Sequence, residues 1–356
     1  MITTTNVATF TIKNIQFLDA DSKLSQPLPD FIDHDILLRL YKQMSLTRVL
    51  DTKAVNLQRT GKMGTYPSSQ GQEAVSVGVG HSLEKNDVFC PYYRDQGTFL
   101  QRNVKISEIF GYWGGDERGS HFDNNAEDLP NCVPIAGQCL HATGVAYAMK
   151  YRKQQRAVLS MIGEGGTSKG DFYEAINIAG AWNLPCVFVV NNNQWAISVA
   201  REKQTACKTF AQKAIAGGID GIQVDGNDII AVVYAVKTAL EKARRGEGAT
   251  LIEAITYRLC DHTTADDANR YRDSDEHKAA WKEEPIARLG YYLEAQNLWS
   301  KEKEATLQKE CQAVIDKAVK VYESQPPQQK TDFIDYLFAK LPEALQEQRD
   351  QIIGKQ

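Results

Sequence analysis

Apolar residues recur at helical spacing over residues 33–59, where Ile36, Leu37, Leu40 and Met44 are followed by Leu46, Val49 and Leu50. That spacing predicts a long amphipathic helix. Residues 61–72 break the pattern with Gly61, Gly64, Pro67, Ser68, Ser69 and Gly71, and small residues suited to a tightly packed helix follow over 73–81. A second loop is expected over 88–97. From residue 145 the pattern alternates. An apolar run at 157–162, glycines, helical spacing over 172–182 and a second apolar run at 186–190 make one βαβ unit. A short strand at 222–224, a helix over 228–243 entered through Gly226-Asn227-Asp228, and a strand over 251–257 make another. Short apolar strands joined by crossover helices imply an α/β fold, a mostly parallel sheet with helices on both faces.

Residues 261–272 are almost wholly polar and too long for a simple turn, the kind of loop that carries function. Helices are expected over 286–298 and 301–324. Gln325-Pro326-Pro327-Gln328 then interrupts before a last amphipathic helix at about 333–341. Residues 1–30 are polar and weakly periodic, and read as an arm lying on a larger body or a partner. Three parts are expected: the arm at 1–30, an α/β domain at 31–285, and a helical region at 286–356 packed on it.

With 356 residues, 42% hydrophobic and 24% charged, the chain can bury a large core. Its 41 Lys and Arg against 45 Asp and Glu give a net charge of −4, and the basic residues are spread out instead of forming a phosphate-backbone footprint. No nucleic acid partner is expected. No apolar run approaches the roughly 18 residues that span a bilayer, and the first ten residues resemble neither a signal peptide nor an Arg-rich presequence, so no membrane association is expected. Seven cysteines, an odd number with no C-x-x-C pair, suit a reducing cytoplasm.

The chemistry gathers in a glycine loop. Gly163-Glu164-Gly165-Gly166-Thr167-Ser168 lies between an expected strand and an expected helix, where open parallel sheets bind ligands. Glycines let the backbone approach a diphosphate, and the helix expected to begin near Asp171 would present free amides to it. The loop does not fit G-x-x-x-x-G-K-[ST], and G-x-G-x-x-G fails at Ser168, which weakens nucleoside triphosphate and dinucleotide readings. A carboxylate facing a diphosphate repels it unless a cation lies between, so Glu164 points to a metal. Asn191-Asn192-Asn193 ends the next strand and would stand beside the loop. Carboxylate, amide, main-chain and diphosphate oxygens together suit octahedral Mg²⁺.

Gly163-Glu164-Gly165, 26 intervening residues and then Asn192-Asn193 resembles the thiamine diphosphate fingerprint, commonly written G-D-G followed by N-N. The surrounding residues, from Thr167 to Ala175 and from Gln194 to Ser198, are similar to those of the alpha subunits of the thiamine diphosphate-dependent 2-oxo acid dehydrogenases. So are Gly71-Gln72-Glu73-Ala74, Tyr93-Arg94-Asp95, the stretch 217–226 and the stretch 257–272. The resemblance covers the chain from about residue 33 onward. It implies a thiamine diphosphate-binding fold in which Glu164, the side chain of Asn193 and the main-chain oxygen of Trp195 hold Mg²⁺. It also implies that Tyr93 and Arg94 hold the diphosphate, a task suited to a planar guanidinium. Ile135, Ala136 and Gly137 would pack against the cofactor, and Gly163, Gly165, Gly166 and Ala196 would complete its site. Glu164 departs from the commoner aspartate, as it does in branched-chain relatives.

A lone loop histidine is more often a solvated surface group than a catalyst. The resemblance reverses this for His262, since Cys260-Asp261-His262-Thr263 is similar to the family's active-site loop, whose histidine stabilises the cofactor-bound intermediate and assists acyl transfer. An imidazole with a pKa near 6.5 suits such proton work. His121 sits where relatives have an inner-loop histidine and is a second catalytic candidate, with a packing role equally open.

By the same resemblance the activity is oxidative decarboxylation of a 2-oxo acid and transfer of the acyl group to a lipoyl-bearing dihydrolipoyl acyltransferase. Pyruvate is the first expectation for the substrate, branched-chain 2-oxo acids the second and acetoin the third. The glutamate that activates the cofactor belongs to a separate beta subunit, so an alpha2-beta2 heterotetramer is implied and the chain alone would be inactive. Two other classes fit the residues less well. A nicotinamide-dependent dehydrogenase would need an acidic residue at the end of the second strand, where Asn191-Asn192-Asn193 stands. A non-catalytic scaffold would need none of Glu164, Asn193, Arg94 and His262.

Overall fold

The computed structural model describes residues 2–123 and 127–354. Its strands are β1 (Lys13–Ile15), β2 (Val88–Cys90), β3 (Val158–Gly163), β4 (Cys186–Asn192), β5 (Trp195–Ala196), β6 (Val199–Ala200), β7 (Asp220–Asp225) and β8 (Thr250–Ile255). Six of them form one sheet in the order β1-β7-β8-β4-β3-β2, every pair parallel, while β5 and β6 make a two-rung antiparallel hairpin.

Strict alternation of side chains sorts the sheet's two faces. Leu159, Met161, Val187, Val189, Ile252 and Ala254 pack into one apolar cluster. Val158, Ile162, Cys186, Phe188, Val190 and Leu251 pack into the other. With both faces covered, the central strands read as unbroken apolar runs. The crossover from β3 to β4 steps toward the β1 edge, and that from β7 to β8 steps the opposite way. Right-handed crossovers therefore place their helices on opposite faces. Phe172, Ala175 and Ile176 of the helix Gly170–Ala181 accordingly join the second cluster, and Ile230, Val233 and Val236 of the helix Ile229–Arg244 join the first. The helix Gly170–Ala181 can lie this close only because Gly180 lacks a side chain, since a Cβ there would fall 1.8 Å from the carbonyl oxygen of Gly217.

The long helix expected over 33–59 runs from His34 to Arg59, with the Asp33 side chain accepting from the Ile36 amide at 2.7 Å as its N-cap. Three expectations need correction. The stretch 88–97 is not all loop, because Val88–Cys90 is an edge strand and the helix Gln96–Gln101 follows. The last expected helix is a single turn, Asp332–Asp335, and a separate helix spans Glu343–Ile352. Within the expected arm, Lys13–Ile15 is a strand of the sheet. Met1 and the final two residues lie outside the described residues. No helix among the described residues is long and apolar enough to cross a membrane.

Asp228 fastens the N-terminal strand to the body. One of its carboxylate oxygens accepts from the Phe17 and Leu18 amides at 2.6 and 2.8 Å, and the other caps the helix Ile229–Arg244 through the Ile230 and Ala231 amides. Replacing Asp228 by Ala removes a helix cap and leaves two buried amides unpaired, so unfolding stability should fall by about 3 kcal/mol in denaturant titration. A loss under about 1 kcal/mol would contradict this anchoring role.

Candidate functional site

Parallel register brings three strand ends to one place, with Gly163 of β3 opposite Asn191 of β4 and Asn191 opposite Ala254 of β8. Beyond these carboxyl ends lies a cleft of about 280 Å³. It is lined by Tyr93, Arg94, Ile135, Ala136, Gly163, Glu164, Gly165, Gly166, Asn193, Trp195, Ala196 and His262, all expected from sequence. Gly137 is not in the lining; it begins the helix Gly137–Tyr151 behind Ala136, which takes a left-handed φ of +70°. His121 is exposed at the end of a short 3₁₀ turn, and this chain does not bring it to the cleft.

The glycine loop is itself a 3₁₀ turn, Glu164–Ser168, ahead of the helix Gly170–Ala181. The turn, Gly163 and Lys169, the N-cap residue of that helix, form this wall of the cleft. Gly165 is required by crowding, since a Cβ would meet the Ala196 Cβ at 2.7 Å. The Glu164 carbonyl accepts from the Thr167 hydroxyl and the Gln204 amide, both at 2.7 Å, which holds the turn closed.

Glu164 is 1% exposed. Its Oε2 accepts from the Asn193 main-chain amide at 3.3 Å, and its Oε1 is buried without a hydrogen-bond partner among the described residues. Burial pushes its pKa up to about 7, against a usual value of 4.5. The three asparagines have different tasks. Asn191 is tied to Gln72, Tyr92 and Thr256, and Asn192 to buried Glu253, so both are fixed in the sheet. Asn193 alone reaches the cleft. Its amide nitrogen donates to Gln72 Oε1 at 3.0 Å, and its Oδ1 accepts from the Trp195 amide at 3.2 Å. Trp195 is anchored by its indole N–H on the Tyr257 hydroxyl at 3.2 Å and follows Gln194, whose φ is +70°.

These residues fit a divalent cation. Glu164 Oε1 has a vacant accepting oxygen in a place where an unpaired carboxylate is costly. Among the described residues no three His, Cys, Asp or Glu side chains gather as a metal site. A cation beside Glu164 would thus take its other oxygens from Asn193, the main chain and a ligand, a hard all-oxygen set of the kind Mg²⁺ prefers.

Across the cleft, Arg94 is 2% exposed and has no carboxylate partner among the described residues; it donates to the Ser68 carbonyl and, at 2.5 Å, to the His262 carbonyl. Arg94 Nη2 lies 3.0 Å and Arg258 Nη1 3.4 Å from His262 Nδ1. Guanidinium groups only donate, so Nδ1 must accept and Nε2 carries the proton. Burial and then these two cations push the His262 pKa down to about 3. In the chain alone His262 is thus held as a neutral N–H donor.

Tyr92, Cys132, Gln138, Ile162, Lys169 and Ile197 also line the cleft and were not singled out from sequence. Arg258 supports it from behind, donating to Ile197 O at 2.9 Å and the Tyr271 hydroxyl at 2.6 Å. A charged residue directly after the apolar run of β8 was the available signal for it.

The sequence matches the model of the family described as dehydrogenase E1 component over residues 41–331. A relative from Staphylococcus aureus strain Mu50, named pyruvate dehydrogenase E1 component subunit alpha, is 40% identical over 337 residues, covering 94% of this chain and 91% of its own length. A Staphylococcus epidermidis relative of the same name is 39% identical over the same shares.

With a folded pKa of about 7 against 4.5, Glu164 binds its proton more tightly in the folded chain. The stability this lends is present at low pH and lost as pH rises from about 4.5 to 7, by up to about 3 kcal/mol in full. Metal-free Glu164→Gln should therefore unfold with a flatter pH dependence than the parent across that window and be the more stable of the two at pH 8. Parallel pH curves for the two proteins would show that Glu164 ionises freely.

Proposed function

The chain belongs to the dehydrogenase E1 component family, and from that premise we propose that it decarboxylates pyruvate with thiamine diphosphate and Mg²⁺ and passes the acetyl group to a lipoyl arm. It is the alpha subunit of an enzyme of the pyruvate dehydrogenase type. The observation that carries the cofactor reading is the buried, half-unpartnered Glu164 carboxylate set beside Asn193 around a glycine turn.

When bound, thiamine diphosphate supplies the nucleophilic carbon and the electron sink that loss of carbon dioxide from a 2-oxo acid needs. The chain's own residues hold and shape. Glu164, Asn193 and the Trp195 main chain would take the metal. Gly163, Gly165 and Gly166 admit the diphosphate tail close to the backbone, and Tyr93 and Arg94 face it from the other wall. His262, held as the Nε2–H tautomer, offers a neutral hydrogen-bond donor in the same cleft. Its pKa would rise once an anion sits beside it, because a negative neighbour favours the imidazolium.

The cleft is half a site. Ile135 is 41% and Ile197 59% exposed at its edge, with Val133 and Val199 also open to solvent next to them. Such a cluster of open apolar residues fits a surface that another chain covers. E1 alpha subunits work with a beta subunit, and the carboxylate that activates the cofactor would come from there. The acyl group would then go to a dihydrolipoyl acyltransferase.

Co-purified with its beta subunit, the chain should release carbon dioxide from pyruvate faster than from 3-methyl-2-oxobutanoate, and only with thiamine diphosphate and Mg²⁺; alone it should be inactive. Faster turnover of the branched acid would overturn the substrate, and activity of the isolated chain would overturn the shared site. Glu164→Ala should abolish Mg²⁺-dependent cofactor binding while leaving circular dichroism unchanged, and an unaltered affinity would remove the metal role.

A further inference from the structure

Five basic side chains are buried, and they divide by place. Arg102 and Arg288 lie away from the cleft, and each is paired with a carboxylate, Asp128 and Asp225. Arg94, Arg258 and Lys213 are the others, and no salt bridge is formed by any of them among the described residues. Arg94 belongs to the cleft wall and Arg258 supports it from behind, as described above. Lys213 does not line the cleft and remains to be accounted for.

Lysine is rarely buried without a paired carboxylate. Lys213, in the 3₁₀ turn Ala211–Lys213, is 5% exposed, and its ammonium donates to the carbonyl and the hydroxyl of Thr167, both at 2.9 Å. The rings of Tyr173 and Phe210 flank it at 5.2 and 5.3 Å, faces that favour a cation. The ionisable neighbour acting on it is a thiol, Cys207, and not a carboxylate. Thr167 in turn donates to the Glu164 carbonyl. The ammonium thus sits directly behind the turn that carries Glu164, with burial pushing its pKa down from the usual lysine value.

We infer that Lys213 is a positioning residue for the diphosphate, a buried uncompensated cation that holds the Glu164–Ser168 turn and supplies positive potential to an anion seated on its other side. This rests on the reading of the cleft as a diphosphate site. Without the ligand, the carboxylates of Glu164 and Asp266 act on the arginines and none acts on Lys213, so the three buried cations are in excess and the surplus charge is a burden on the fold. With a metal-bound diphosphate present, the same charge is neutralised. One side chain therefore lowers the stability of the empty protein and raises the affinity for the anion. A purely structural lysine would do neither in this combination.

The test uses the chain co-purified with its beta subunit, as the parent and as the variants Lys213→Met and Lys213→Arg. Methionine keeps the length and the contacts with the two rings while removing the charge. Calorimetric titration with thiamine diphosphate in excess Mg²⁺ and thermal unfolding of the cofactor-free protein are measured for each. Lys213→Met should bind the cofactor about tenfold or more weakly, with an unfolding temperature equal to or above that of the parent, and Lys213→Arg should keep most of the affinity. Unchanged affinity in Lys213→Met would overturn the inference. So would a joint fall of affinity and cofactor-free stability that arginine does not rescue, which would make Lys213 a prop. A parent protein that binds no thiamine diphosphate would remove the diphosphate reading itself, a different failure from the first two.

Discussion

A carboxylate oxygen shut away from water with nothing to bond is the constraint on which the rest of this structure depends. Glu164 Oε1 has no partner, and its side chain is almost wholly buried. Such a group is tolerated only where the surrounding fold over-determines it. Here the register of β3 and β4 places the turn, the Thr167 and Gln204 hydrogen bonds close it, and the Asn193 amide steadies the other carboxylate oxygen. The sheet that supports the turn is packed on both faces, so the turn cannot relax toward solvent without disturbing apolar layers.

The same logic runs through the opposite wall with the sign reversed. Arg94 and Arg258 are buried without carboxylates, and their donors are spent on carbonyls, a tyrosine hydroxyl and one imidazole nitrogen. His262 is the consequence. Two cations converging on Nδ1 select one tautomer and keep the ring neutral, so the loop offers a donor at Nε2 whatever the pH above about 3. A buried acid on one side and buried cations on the other suit the metal-bound anion of the proposed function.

Much of this was legible from sequence because local and global signals agree. The helix His34–Arg59 has its cap at Asp33 and an apolar stripe through Leu37, Leu40 and Met44, and Asp228 caps the helix Ile229–Arg244 in the same way. The central strands are long enough to show as apolar runs. What was missed lacked such agreement. Strand β2 is three residues, Val88-Phe89-Cys90, too short for periodicity to register, and β1 owes its place to pairing with β7 and not to its own composition. At the C-terminus, Phe333, Leu337 and Phe338 suggest one amphipathic helix, yet all three are more than half exposed and the helix ends at Asp335. In the site, the glycine turn and the asparagines stood out through their spacing. Arg258 and Lys213 did not, because a charged residue near an apolar run looks like any solvated one until burial is known.

The pairing of a buried acid with buried bases also bears on why the chain should need a second subunit. The charges lining the cleft are arranged for binding, with one carboxylate held beside a cation position and the only lining histidine locked as a donor. In the proposed function the general base comes from the beta subunit with which E1 alpha subunits work. The open apolar edge formed by Ile135 and Ile197 is where a covering surface would exclude water and bring that base in. Binding and activation are thus divided between surfaces, and the geometry of this chain accounts for the first and leaves room for the second.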